Sequence, residues 1–183
     1  REQPPLGDPV DAAHETGGFP GQGVQRVGPE VEDRVGLRVA TGVQFTWNAT
    51  LAQERLGGDV SIVVDPTNSS VLYLAWCDDQ SGTYTMHVRR SKDKGATWSA
   101  DLRTLSNAKN PALAINSVGR VALAYQQVAT VSGVKRWETI LESTTDAFAT
   151  HTSFTLSTAP ASTPSATFLP YLGDYIHMMA VGL

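Results

Sequence analysis

The chain has 183 residues, 18 acidic and 14 basic, for a formal net charge of −4. That length suffices for one domain with a sizeable core, and the scattered charge, without a basic run, argues against nucleic acid or a membrane surface as partner. No apolar run reaches the roughly 18–20 residues of a transmembrane helix, and Cys77, the single cysteine, excludes a disulfide framework.

Residues 1–34 are rich in Gly, Pro and charge. Pro4-Pro5, Gly17-Gly18 and Phe19-Pro20-Gly21 interrupt any regular element, so this stretch reads as an extended arm or linker. The chain begins at Arg1 rather than Met, as a processed or trimmed product would. Within 35–57, Val35–Val39 and Val43–Trp47 alternate apolar and polar side chains. They predict a strand pair turning at Gly42, or else a linker. Asn48-Ala49-Thr50 and Asn68-Ser69-Ser70 match the glycosylation triplet.

From Gly58 the pattern becomes repetitive. Strands are predicted over Val60–Val64, Val71–Trp76, Tyr84–Arg90 and Trp98–Leu102, separated by turn clusters such as Asp65-Pro66-Thr67-Asn68. The pattern restarts with Ala112–Ile115, Val121–Gln126, a loop holding Ser132-Gly133, Trp137–Ser143 and Ser153–Leu156. Tyr175–Val181 opens a third unit. The unit starts Asp59, Asn110 and Asp174 are 51 and 64 residues apart, and four strands per repeat of about 40–50 residues is the signature of propeller blades. Short strands punctuated by Gly also fit a two-sheet sandwich.

The hairpin at Val88–Trp98 is more specific. Five positions are set in eight residues: Ser91-x-Asp93-x-Gly95-x-Thr97-Trp98. Asp93 can accept bonds from backbone N–H groups, as in an Asx turn. Gly95 supplies a positive φ, and the Trp98 indole can cover an apolar face. This spacing resembles the Asp-box, or bacterial neuraminidase repeat, of sialidase-like β-propellers. Ser143–Thr150 reads as a decayed copy, its Gly and Trp gone and its Asp displaced by one.

The resemblance covers residues 58–183. It implies an all-β chain of four-stranded antiparallel propeller blades, about two and a half of them, where the family typically has six. The remaining blades would come from the same longer protein, the preferred reading, or from other copies of the chain. It implies an extracellular or cell-envelope protein that is glycan-binding or glycoside hydrolase-like. The alternative is a non-catalytic scaffold that uses its blades for assembly.

In such blades the Asp-box turn lies opposite the face that bears the site. The implied site face receives Asp59, Asn110 and Asp174, then Asp78, Asp79, Lys135 and Arg136, with Tyr171 and Tyr175 beside Asp174. Aromatic rings stack on sugars, and carboxylates supply acid, base or nucleophile. Bland readings stand beside each: Asp59 and Asp174 as turn caps, Asp78-Asp79 as a solvated loop, and Cys77 and His177 as core side chains. Catalytic sialidases carry an Arg-Ile-Pro motif, three carboxylate-clamping arginines and a Tyr/Glu pair. This sequence has no Arg-Ile-Pro, so no catalytic residue is assigned. No cofactor is expected; a ring of Asp59, Asn110 and Asp174 oxygens is the one arrangement that would suit Ca²⁺.

Overall fold

A computed structural model describes residues 38–41, 43, 60–79, 82–161 and 176–182. All lie in one compact unit, Gly36–Leu183. Its regular elements are eight strands: β1 Val60–Asp65, β2 Asn68–Asp78, β3 Thr85–Ser91, β4 Arg103–Ser106, β5 Ala108–Ile115, β6 Val121–Val131, β7 Val134–Thr144 and β8 Thr152–Pro160. They form two four-stranded antiparallel sheets, ordered β1-β2-β3-β4 and β5-β6-β7-β8. Each sheet is a simple meander, and neither closes on itself.

Turn chemistry explains the connections. Asp65 Oδ1 accepts the Thr67 N–H (2.8 Å) and its hydroxyl (2.7 Å), folding the chain from β1 into β2. Asn116 Oδ1 does the same between β5 and β6 for the N–H groups of Val118 and Arg120. Ser132 and Gly133 have φ of 51° and 77°. The predicted loop there is a two-residue turn joining Val131 directly to its partner Val134, the hairpin geometry that needs two positive φ values.

The turn from β3 to β4 is built around Asp93. Its carboxylate accepts the Thr97 N–H (2.8 Å), the Thr97 hydroxyl (2.6 Å) and the Ser91 hydroxyl (2.8 Å). Ser91 Oγ in turn accepts from Asp93 N and Gly95 N, and the Trp98 indole donates to Gly95 O. The turn from β7 to β8 repeats the bonds of the aspartate and of the leading hydroxyl, without the indole bond. Asp146 accepts from Thr150 N, Thr150 Oγ1 and Thr144 Oγ1, and Thr144 Oγ1 accepts from Asp146 N and Phe148 N. The aspartate is therefore not displaced: the motif starts at Thr144, one residue after Ser143, with threonine supplying the hydroxyl. The two turns lie 53 residues apart, Asp93 to Asp146.

Both aspartates are held at about 2, well below the ordinary 3.8. The threonine hydroxyl is the largest cause, followed by the threonine N–H and the Ser91 or Thr144 hydroxyl. Because the folded state prefers the ionised form, this contribution is complete above the unfolded value and is lost as pH falls through 3.8 towards about 2. Urea midpoints are expected to decline over that window. An Asp93→Asn, Asp146→Asn double variant should be less stable at neutral pH and decline less on acidification. An unchanged slope would refute the assignment.

Several predicted elements are corrected. The fourth strand of the first sheet is Arg103–Ser106, beyond the predicted Trp98–Leu102. Ser99 Oγ takes the Arg90 N–H and Asp101 turns to His87 and Arg89, so the regular ladder resumes only at Arg103, opposite Val88. β5 starts at Ala108, four residues early, and carries Asn110 and Pro111 in a bulge between Lys109 and Ala112. Asn110 takes φ 53° there, and Pro111 has no N–H to give a ladder. Ile176–Val181 forms no strand: alternation alone makes none without a hydrogen-bonded neighbour. Of the predicted pair at 35–47, the described residues Arg38–Thr41 and Val43 are not strand; its remainder, the arm at 1–34 and Asn48 lie outside the described residues.

The sheets pack face to face. Tyr73, Ala75 and Cys77 of β2 and Met86 and Val88 of β3 meet Leu113, Ile115, Val121, Leu123, Tyr125 and Ile140 of the second sheet. Cys77 is thus a core side chain. β5 is buried along its whole length, and Ser61 Oγ accepts the Leu113 N–H across the interface. One polar group is set into this apolar layer. Glu142 on β7 receives Arg103 of β4 through two bonds and the Tyr125 hydroxyl at 2.8 Å, with His151 Nε2 at 3.7 Å. Burial first, then the bond to Glu142 and its charge, pushes the Tyr125 phenol far up, so the hydroxyl stays protonated and donates.

Candidate functional site

Strand direction sorts the candidate residues. β2 ends at Asp78, β5 opens with Asn110 in its first turn of ladder, and β7 opens near Arg136. All three lie at one end of the sheets, and the Ser91–Trp98 turn lies at the other. That much follows the expectation. Their side chains then differ. Asn110 is buried and donates to Gln126 Oε1 (2.6 Å), inside the second sheet. Arg136 is half-buried on β7, opposite Ala129 and Pro160. Asp79 is half-buried after β2. Asp59, Asp174, Tyr171 and Tyr175 lie outside the described residues. Among the described residues, no group of three His, Cys, Asp or Glu side chains is arranged for a metal; the Asp59–Asn110–Asp174 set falls mostly beyond them.

Asp78 is the candidate that lines a cavity. On β2, Trp76 and Asp78 alternate onto the face directed away from the second sheet. On β3, His87 and Arg89 share that face, with His87 opposite Trp76. The Trp76 and His87 rings stack, centroids 5.0 Å apart and 17° from parallel. Arg89 lies over the indole at 5.1 Å, a favourable cation–π placement. The indole N–H donates to Asp78 Oδ2 (3.2 Å), and His87 Nε2 faces the same oxygen at 3.5 Å.

Asp101, just before β4, closes the other side. Its Oδ2 pairs with His87 Nδ1 (2.8 Å) and its Oδ1 with Arg89 Nε (2.6 Å). Burial raises the Asp101 carboxyl, but bonds from Arg89 and His87, with their charge, outweigh it and hold the group below its usual range. Arg89 also donates to Val39 O, so Arg38–Thr41 rims the pocket. The cavity measures about 230 Å³ and is lined by Arg38, Thr41, Trp76, Asp78, His87 and Arg89 with Val39 and Ala40. That is below the roughly 300–1,000 Å³ of drug-sized sites and suits one ring-sized polar ligand. The walls offer guanidinium donors, a carboxylate acceptor and an imidazole held between two carboxylates.

Asp78 was a candidate by sequence, with a solvated loop as its other reading, and the structure instead buries it at the end of β2; Trp76, His87, Arg89, Asp101 and Arg38 were assigned to no site. The signal was present as two i, i+2 pairs on neighbouring strands, Trp76-x-Asp78 and His87-x-Arg89, which put four polar or aromatic groups on one face. His87 stands in no metal-ligand spacing such as His-Glu-x-x-His, so no local motif marks it. A second polar cluster, Lys109 with its ammonium 4.4 Å from the Tyr84 ring and 5.1 Å from that of Trp137, is buried and belongs to the packing between strands.

Comparison of the chain with protein-family models, with characterised proteins and with solved structures gives no match.

Proposed function

We propose that the two sheets are blades of a sialidase-like Asp-box β-propeller, and that the protein is an extracellular glycan-binding or glycoside hydrolase-like one. The observation that carries this reading is the recurrence at Asp146 of the carboxylate and hydroxyl bonds made at Asp93. Each copy joins the third and fourth strands of its own meander. Two contiguous meanders packed face to face are what successive blades require, whereas Greek-key sandwiches exchange strands between sheets. The cavity at Asp78 supplies the ligand half of the reading: stacked aromatic and guanidinium planes beside carboxylates suit a hydroxyl-rich ring.

The test is a titration with a panel of neutral and acidic mono- and disaccharides, read by tryptophan fluorescence, with release from a fluorogenic sialoside measured alongside. Saturable quenching by one saccharide class, weakened about tenfold or more (1.4 kcal/mol) by Asp78→Asn, is the expected result. Binding that Asp78→Asn leaves unchanged would remove the cavity from the reading, and silence across the panel would remove the glycan.

A second reading, a non-catalytic scaffold, is favoured by one observation. Val60, Ile62 and Val64 expose an apolar stripe on the outer face of β1, as a surface for a further blade would. Silence across the panel together with a particle heavier than one chain would support it.

A further inference from the structure

The four sheet edges are not alike. β5 is an edge by strand order but is buried against the first sheet. β4 is four residues long and carries Arg103, and β1 is six residues long with Asp65 in its ladder. Short length and charge are the usual means of keeping an edge from pairing with another chain. β8 has neither. It runs nine residues, Thr152–Pro160, without a charged side chain, and nearly all of it is exposed. Phe154 and Leu156 are 57% and 58% exposed.

Its sequence is also self-complementary. Thr152-Ser153-Phe154-Thr155-Leu156-Ser157-Thr158 reads almost the same in both directions. An antiparallel pairing about Thr155 would set Thr155 opposite Thr155 and Phe154 opposite Leu156. Ser153 would face Ser157, and Thr152 would face Thr158. Aromatic–aliphatic and hydroxyl–hydroxyl pairs are favourable cross-strand neighbours, and no like charges meet. The ladder to β7 adds a further point. Thr139 pairs with Ser157 and Ile140 with Thr155, so Leu156 bulges and has no opposite residue on β7.

We infer that β8 is a self-association edge, and that two copies of this chain join β8 to β8 about Thr155 into one eight-stranded sheet. The partner is a second copy because the edge matches itself, residue for residue, across a twofold axis. This inference is independent of the glycan reading and of the blade reading.

The test uses the 183-residue chain. Sedimentation equilibrium should give a concentration-dependent mass approaching twice 19.6 kDa. Thr155→Lys places two ammonium groups face to face and should raise the dissociation constant roughly fivefold or more, with an unchanged far-ultraviolet spectrum. Register is read by cysteine. Cys77 is buried and does not compete. Thr155→Cys should form a disulfide-linked dimer on mild oxidation. Ser153→Cys alone should not, since its two copies would stand about 13 Å apart along the strands, while a mixture of Ser153→Cys and Ser157→Cys should. If Thr155→Lys fails to fold, the cysteine variants decide. A chain that stays monomeric at high micromolar concentration overturns the proposal. So does an open-ended polymer, or a dimer that Thr155→Cys does not cross-link.

Discussion

Arg103→Met is expected to cost about 3–5 kcal/mol of folding stability, and Glu142→Gln only about 1–3 kcal/mol. The asymmetry follows from where each partner sits. The Glu142 side chain is 2% exposed and that of Arg103 20%. Removing the arginine leaves a carboxylate inside the apolar layer between the sheets, held by the Tyr125 hydroxyl with His151 more distant. Removing the glutamate charge leaves a guanidinium that can still turn to water, and glutamine still accepts from Tyr125. Replacing both residues, Arg103→Met with Glu142→Leu, should restore most of the loss, because an apolar pair of similar volume avoids desolvating two charges. Urea denaturation of the four proteins closes the cycle. Equal costs for the two single variants would show that the pair does not bridge the sheets as described. The Tyr125–Glu142 contact has the residue types of a catalytic Tyr/Glu pair, but it is buried within the second sheet and its phenol stays protonated, so it braces Glu142 for the Arg103 tie between the sheets.

Phe148 should give the second large effect, with an unusual ranking. It occupies the place in its turn that Gly95 holds in the first, at φ 66° against 87°. A left-handed conformation costs a bulky residue roughly 1–2 kcal/mol. The ring is nevertheless retained, because it is 6% exposed and packs into the core cluster beside Tyr73 and Leu123. Phe148→Ala loses that packing, about 3–5 kcal/mol, and keeps the strain. Phe148→Gly loses the packing and releases the strain, for a net cost of about 2–4 kcal/mol. Glycine should therefore be better than alanine here by about 1 kcal/mol, the reverse of their order at ordinary strand positions. Thermal midpoints of the two variants check this, and alanine ranking above glycine would refute the strain.

The same residue shows why the second turn was only half legible. Its aspartate and threonine are visible in the sequence, but Ser143 stands one residue before the true start, Thr144, and the Gly and Trp are absent. The actual requirements were a hydroxyl at the first position and a positive φ at the fifth. Threonine meets the first. A phenylalanine meets the second only because the core repays it, and no local pattern announces that.

The sequence by itself located seven of the eight strands, their grouping in fours and much of the turn chemistry, while its fourth strand fell short of Arg103–Ser106 and its strands at 35–47 and Tyr175–Val181 are not formed by the described residues. Period-two alternation and turn side chains act over two to four residues, so they can be read without knowing the fold. Tertiary structure decided everything that depends on register and on facing sheets. Arg89 reaches Val39 across 50 residues and Arg103 reaches Glu142 across 39. Cross-strand pairing, set by backbone hydrogen bonds, brings His87 onto Trp76 and turns Asp78 into a cavity wall. It also left β8 exposed along its outer side. The near-palindrome in that strand was present in the sequence throughout, and it acquired meaning only when the ladder showed which edge of which sheet it occupies.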